Sequence, residues 1–194
     1  DDNISGSLNQ FEIDAPELQL DVAQSGTLFQ GKSVYYRVDV EAGETLQVTF
    51  DSLSDKGFSE LYVRYGDMPS QSEFDYGFED INADQQVIVP TTEAGTYYIL
   101  ARAVEAPDWI SYQQIDENTT ISGLGTEYSI KVETIDFGIS SIAQTVGDRG
   151  GKITVEIDGA KFNTSMTAEL IDSAGNSIVA ENIWYEDSTE VFAT

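Results

Sequence analysis

Short runs of alternating apolar and polar residues, separated by turn residues, constrain the fold of this chain more than any other feature. In SVYYRVDV (33–40) and TLQVTF (45–50) every second residue is apolar, and EAG (41–43) between them forms a turn. TEYSIKVET (126–134) alternates in the same way. A period of two is typical of half-buried β-strands, whereas an amphipathic helix repeats every 3.6 residues. The pattern therefore predicts an all-β protein.

The spacing of these runs predicts two units. About eight short strands precede residue 134, with turn signals at the intervals found in sandwiches and jelly rolls. After a boundary near TIDFGISSI (134–142), a second series gives about five strands, fewer than the roughly seven of an immunoglobulin-like sandwich. We therefore predict a leader strand or linker at 1–15, a jelly-roll-like β-sandwich at 16–135 and an incomplete Ig-like β-sandwich at 138–194. Since the last run, EVFAT, ends at Thr194, we expect that the natural protein continues or that a partner supplies the missing strands.

The chain is strongly acidic, which limits its partners. It has 35 Asp and Glu residues against 9 Lys and Arg residues, for a formal net charge of −26. A field of this sign repels nucleic acid and anionic lipid and favours cations, basic partners or neutral polymers. The sequence also lacks any apolar run long enough to span a bilayer. We expect neither nucleic-acid binding nor membrane insertion.

Cysteine and histidine are both absent from the sequence. Their absence excludes disulfides, thiolate nucleophiles, Ser-His-Asp triads and the usual zinc hydrolase sites. The remaining catalytic options are a pair of carboxylates, as in glycosidases, or a Lys or Tyr base. No particular carboxylate pair can be singled out among so many acidic residues. We therefore predict a protein that is not an enzyme.

An acidic segment, FEDINAD (78–84), lies between two predicted strands. Its Asp80, Asn82 and Asp84 carry oxygens at alternate positions, like positions 1, 3 and 5 of an EF-hand loop. An EF-hand then requires Gly at position 6 and Glu at position 12, where this chain has Gln85 and Thr91. Two interpretations stay open: a solvated turn in an acidic chain, or a calcium site of another kind. We expect no other cofactor.

The segment 104–125 has no clean period and is long for a loop in a compact domain. We predict that it holds a short irregular element or a functional decoration. Its Trp109 and Tyr112 either pack the segment against the sandwich or form a flat aromatic platform for a sugar or a peptide.

Three segments of the first unit carry a resemblance to a known family. SGTLFQGKSVYYRVDVEAGETLQVTF, SELYVRYGDMPSQSEFDY and EAGTYYILARA occur in an order and spacing that resembles the bacterial pre-peptidase C-terminal (PPC) domain, from about Pro16 to Thr134. The resemblance implies a jelly-roll-type sandwich that is a non-catalytic appendage of secreted peptidases or of large surface proteins. Some collagenase members bind calcium and collagen, but their ligands cannot be matched here residue by residue.

The second unit resembles another family more weakly. ISSIAQTVGDRGGKITVEIDGAKFNTSMTAELID is similar to immunoglobulin-like IPT/TIG-type domains, although Gln144 stands where a Pro is common. In bacteria, such domains are mostly spacers or adhesive modules.

Together, these patterns predict a module of a large secreted or cell-surface bacterial protein that serves adhesion, binding or spacing. Its expected partners are a protein or polysaccharide at the cell surface, neighbouring domains, or copies of the same protein. Two alternatives stay open. One is an accessory substrate-binding or targeting domain of a secreted peptidase. The other is a self-assembling extracellular structural subunit that is completed by strand addition.

Overall fold

The computed structural model describes residues 15–106, 108–113, 120–144 and 151–194, and gives only the backbone at 109, 111–113, 120, 121 and 144. Within these ranges the chain consists of β-strands and their connections, without a helix. The prediction of an all-β fold is confirmed. Residues 1–14 of the predicted leader lie outside the described residues.

Fifteen strands are described, and adjacent strands in each sheet run antiparallel. In chain order they are β1 (Gln24–Phe29), β2 (Ser33–Val40), β3 (Thr45–Ser52), β4 (Phe58–Tyr65), β5 (Tyr76–Gly77), β6 (Gln85–Val89), β7 (Gly95–Glu105), β8 (Asp108–Gln113), β9 (Thr120–Ile135), β10 (Gly138–Gln144), β11 (Val155–Ala160), β12 (Glu169–Ile171), β13 (Ser177–Val179), β14 (Ile183–Tyr185) and β15 (Glu190–Ala193).

Strands β1 to β9 form a sandwich of two sheets around one core. One sheet has the order β2-β7-β4-β5, and the other has the order β1-β9-β3-β6 with β8 also paired to β9. Successive residues of a strand face opposite sides, so each alternating run supplies one apolar face. The buried core draws on both sheets and contains Leu18, Leu28, Tyr36, Val38, Val40, Leu46, Val48, Phe50, Leu61, Val63, Val87, Val89, Tyr97, Ile99, Ala101, Ala103, Tyr128, Ile130 and Val132.

A tyrosine pair links the two sheets across this core. The hydroxyls of Tyr36 on β2 and Tyr128 on β9 share a buried hydrogen bond of 2.6 Å. Burial raises the pKa of Tyr128 above its ordinary value, so the phenol stays neutral. The ring of Phe50 stacks on that of Tyr128 with centroids 4.9 Å apart. A Cβ at Gly26 would lie 2.6 Å from the Tyr128 hydroxyl oxygen, so glycine is needed there for the ring to fit.

The segment 104–125 differs from the prediction of an irregular element, because its described residues lie mostly in strands, while its role as a functional decoration stays a prediction. Strand β7 ends at Glu105, and β8 then pairs with the first part of β9, from Asp108 opposite Gly125 to Gln113 opposite Thr120. The sequence pattern hides this pairing because glycines interrupt the alternation. A Cβ at Gly125 would lie 2.3 Å from Ile110 Cδ1, so the glycine leaves room for close packing.

Strands β10 to β15 form a smaller unit. Its four-stranded sheet has the order β10-β11-β15-β14, and β12 and β13 form a separate hairpin. The run at 176–186 forms two strands, because the N–H of Ala180 bonds to Ala168 while the N–H of Glu181 bonds to Thr194. The core of this unit contains few buried residues: Ile157, Phe162, Val191 and Ala193. The Ig-like interpretation of the unit stays a prediction.

Polar contacts join the small unit to the sandwich. Lys161 Nζ lies 2.7 Å from Glu44 Oε2. The hydroxyl of Ser188 accepts a hydrogen bond from Thr91 Oγ1 at 3.0 Å and donates one to the carbonyl of Pro90. The small unit therefore contacts the turn before β3 and the connection that follows β6.

Candidate functional site

The acidic connection before β6, FEDINAD (78–84), is fixed by hydrogen bonds from one buried side-chain amide. Gln85 is 5% exposed, and its Nε2 donates to the carbonyls of Ser59, Asp80 and Asn82, each at 2.9 Å. An amide can donate two hydrogens, so three acceptors share them. The side chain that occupies the sixth EF-hand position thus has a structural role: it fixes the path of the connection.

The predicted calcium residues Asp80, Asn82 and Asp84 take part in different local contacts. The carbonyl of Asp80 points to Gln85, and Asn82 Oδ1 accepts the N–H of Ala83 at 2.8 Å. Asp84 Oδ1 instead accepts the N–H of Ser52 at the end of β3, at 2.8 Å. The calcium prediction at these three residues stays untested.

Asp84 belongs to a different group of carboxylates. One oxygen each from Asp51, Asp55 and Asp84 lies within 4.8 Å of the others, and all three residues are exposed. Pairing of β3 with β6 places Phe50 opposite Gln85, which brings Asp51 next to Asp84. Asp55 joins them from the turn after β3, where its N–H bonds to the Ser52 carbonyl at 3.0 Å. Carboxylate oxygens that converge in this way are suitable ligands for a hard cation.

Sequence reasoning missed Asp51 and Asp55 as partners of Asp84. About thirty residues separate them, and no local spacing connects the two segments. The only relevant signal was the alternation of TLQVTF and QQVIVP, which predicts both strands without predicting that they are neighbours. Strand pairing is therefore the source of this group.

The predicted aromatic platform lies on strand β8 and not in an irregular loop. The register places Trp109 opposite Leu124 and Tyr112 opposite Ile121 on β9. The side chains of Trp109 and Tyr112 lie outside what the structure describes, so the platform stays a prediction. A shallow surface depression nearby is lined by Phe29, Gln30, Lys32, Ser122, Gly123 and Leu124.

The hairpin β12–β13 exposes apolar residues on both of its faces. Leu170 and Ile178 are directly opposite one another and are 68% and 70% exposed. Ile171 and Val179 belong to the other face and are 63% and 60% exposed. Apolar strand residues that are this open to water are typical of a surface that contacts another molecule.

These features define the chain first as an antiparallel β-sandwich protein with a smaller β-unit after the sandwich. The group of Asp51, Asp55 and Asp84 and the apolar residues of β12–β13 lie on its surface. The part of the chain that the structure describes contains no helix of the length and apolarity needed to cross a membrane.

Comparison with known proteins then assigns a family likeness to part of the sandwich. Residues 32–103 match the family model of the bacterial pre-peptidase C-terminal domain. This range runs from just before β2 into β7 and includes much of the core. The match supports the resemblance seen in the sequence over this shorter range, while the IPT/TIG resemblance of the second unit stays a prediction.

Several solved structures are similar to the chain at low sequence identity. The pre-peptidase C-terminal domain of a collagenase from Bacillus anthracis is 13% identical, with a TM-score of 0.45, over 64% of this chain and 100% of that one. A periplasmic inhibitor of g-type lysozyme from Aeromonas hydrophila is 16% identical, with a TM-score of 0.42, over 62% and 95%. A surface-associated copper-binding protein from Methylomicrobium album is 9% identical, with a TM-score of 0.42, over 63% and 98%. No curated protein is significantly similar in sequence.

Proposed function

We propose that the chain is a non-catalytic module of a larger secreted or cell-surface bacterial protein, where it serves adhesion, binding or spacing. The observation that carries this proposal is the exposed apolar hairpin β12–β13. Exposed apolar strands are suited to contact with another molecule. The match of residues 32–103 to the pre-peptidase C-terminal family also supports the proposal.

The turn of this hairpin is organised by one aspartate. Asp172 Oδ1 accepts the N–H groups of Ala174 and Asn176 at 2.8 Å each, and Oδ2 accepts Asn176 Nδ2 at 2.8 Å. The hydrogen bonds from Asn176 and Ala174 lower the pKa of Asp172, so its carboxylate stays ionised. Gly175 adopts the positive φ of 85° that the turn requires. Both arms are therefore preorganised, which reduces the entropy lost when a partner binds.

The proposal predicts that the parent protein is found outside the cytoplasm. Antibodies against this chain are expected to label intact cells or to detect the protein in the culture medium after fractionation. A cytoplasmic enzyme serves as the marker for lysis. If the protein is recovered only in the fraction that contains the cytoplasmic marker, the proposed location is contradicted.

Two alternatives assign a different use to the same module. An accessory domain of a secreted peptidase requires a peptidase domain in the same polypeptide, which the full-length gene would show. A self-assembling subunit requires strand addition, and within the described residues β12 and β13 pair only with each other. Light scattering tests the self-assembling subunit. If the chain self-assembles, its apparent mass should increase with concentration, and L170S/I178S should weaken that increase. A monomer at every concentration would exclude self-assembly.

Calcium binding is a second candidate function, favoured by the group of Asp51, Asp55 and Asp84. Addition of calcium is expected to release or absorb heat and to raise the melting temperature. At calcium 100 times above Kd, the free energy of unfolding should rise by about 2.7 kcal/mol. Asp51→Asn should abolish both signals, because it removes a charge from the group.

A matched variant tests which acidic residues are involved. Asp80→Asn makes the same charge change outside the group and should leave the calcium signals unchanged. If Asp80→Asn abolishes the calcium signals and Asp51→Asn leaves them unchanged, the ion binds at the connection 80–84. Absence of heat and of any change in melting temperature in the unmodified chain would exclude calcium binding.

A further inference from the structure

One face of the sheet β10-β11-β15-β14 carries aromatic and acidic residues side by side. Trp184 lies opposite Phe192, and Phe192 lies opposite Glu156. On the same strands, Asp158 lies opposite Glu190. Residues directly opposite in an antiparallel pair share a face, as do alternate residues of one strand. Glu156, Asp158, Trp184, Glu190 and Phe192 therefore form one surface, which we call the aromatic–acidic face.

This face points away from the core of the small unit. The intervening residues Ile157, Val191 and Ala193 are buried on the other side of the sheet. Trp184 is 53% exposed, and the other four residues are half-buried. An exposed indole beside a row of half-buried carboxylates offers both flat apolar area and negative charge to a ligand.

The negative charge on this face is concentrated by the strand register. Asp158 and Glu190 are like charges directly opposite one another, an arrangement that destabilises a sheet. Desolvation together with the neighbouring carboxylates, Glu156 and Asp158 foremost, raises the pKa of Glu190 above its ordinary value. The hydroxyl of Ser141 donates to Asp158 and satisfies part of its hydrogen-bonding capacity.

The nearby described lysines do not compensate this charge. Lys152 pairs with Glu181, and Lys161 pairs with Glu44 and Asp136. Among residues 15–106, 108–113, 120–144 and 151–194, no ion pair involves a carboxylate of the aromatic–acidic face. A positively charged ligand would therefore relieve repulsion that the folded chain leaves in place.

We propose that the aromatic–acidic face binds an extended segment of a basic partner protein, in which Arg or Lys side chains alternate with apolar ones. Basic side chains on one side of such a segment would approach Asp158 and Glu190, and a guanidinium would stack on Trp184 through a cation–π contact. A second copy of this chain is a poor occupant, because each copy carries a net charge of −26. The inference rests on the proposed binding role and specifies its partner.

The test uses the full chain with Trp109→Phe, which leaves Trp184 as the only tryptophan. The probe is an acetylated and amidated peptide of four Arg-Val repeats, titrated while Trp184 fluorescence is recorded at low and at physiological ionic strength. We expect a saturable change in Trp184 emission that weakens with salt. The variant D158N/E190Q should weaken binding roughly tenfold, since it removes the two charges that face each other.

A matched variant separates this face from the general charge of the chain. E41Q/E105Q removes two exposed carboxylates of the sandwich and should change binding by less than about twofold. If D158N/E190Q and E41Q/E105Q weaken peptide binding equally, the proposal is overturned. It is also overturned if the chain binds chitosan oligosaccharide but not the peptide. Circular dichroism confirms that the variants fold. The peptide titration does not depend on where the protein is found in the cell. A negative titration would therefore overturn the basic partner alone, and cell fractionation would still test the proposed secretion.

Discussion

Replacement of Phe50 by alanine is expected to lower the free energy of unfolding of the sandwich by about 3–5 kcal/mol. Phe50 is 0% exposed and stacks on Tyr128 with a centroid distance of 4.9 Å. The hydrogen bond between Tyr128 and Tyr36 ties Tyr128 to the opposite sheet, so its ring cannot move freely into the cavity. The variant therefore loses apolar burial and also retains much of the empty volume.

Denaturant unfolding, followed by circular dichroism, measures this effect. The control is Ile81→Ala, because Ile81 is 83% exposed on the acidic connection and its truncation should change stability by less than about 0.5 kcal/mol. A loss below about 1 kcal/mol for Phe50→Ala would contradict the described core, since it would mean that the site repacks without a cavity.

Replacement of Gln85 by leucine is expected to destabilise the chain by about 1–3 kcal/mol and to loosen the acidic connection. The leucine keeps a similar size but leaves the carbonyls of Ser59, Asp80 and Asn82 without the amide that now donates to them. Loss of a buried donor is costly because its acceptors cannot all recover a bond to water. Hydrogen exchange should accordingly become faster at residues 78–84.

The neighbouring residue provides a matched control. Gln86 is exposed on the same strand. Gln86→Leu therefore makes the same chemical change at a position where water can replace the hydrogen bonds of the lost amide. We expect it to alter stability by less than about 0.5 kcal/mol and to leave hydrogen exchange of the connection unchanged. Similar effects of both substitutions would show that side-chain chemistry on β6, and not the buried amide, holds the connection.

Most of the sandwich could be predicted from residue alternation. The runs at 33–40, 45–50 and 126–134 lie in β2, β3 and β9, with their apolar residues in the core. The prediction of an irregular element at 104–125 was wrong, because most of the segment is paired strand although glycines interrupt the alternation in β9. The alternative of a functional decoration stays a prediction. Alternation reports the two faces of a strand, and a glycine that allows close packing removes that signal without removing the strand.

The candidate sites were much less predictable. The Asp80–Asn82–Asp84 spacing left a solvated turn and a calcium site both open, and it gave no sign that strand pairing brings Asp84 together with Asp51 and Asp55. The aromatic–acidic face had no sequence signal, because its residues come from three short strands. Surfaces of this kind depend on which strands are neighbours and in which register.

The sequence by itself determined the strand-forming period, the acidic field and the exclusion of thiol and histidine chemistry. These are properties of composition and of residues near one another in the chain, and they need no knowledge of pairing. Only the tertiary structure decided that Gln85 faces inward beneath the connection and that Asp158 lies opposite Glu190. The physical reason is that strand register is set by contacts between distant segments, whereas periodicity is set locally.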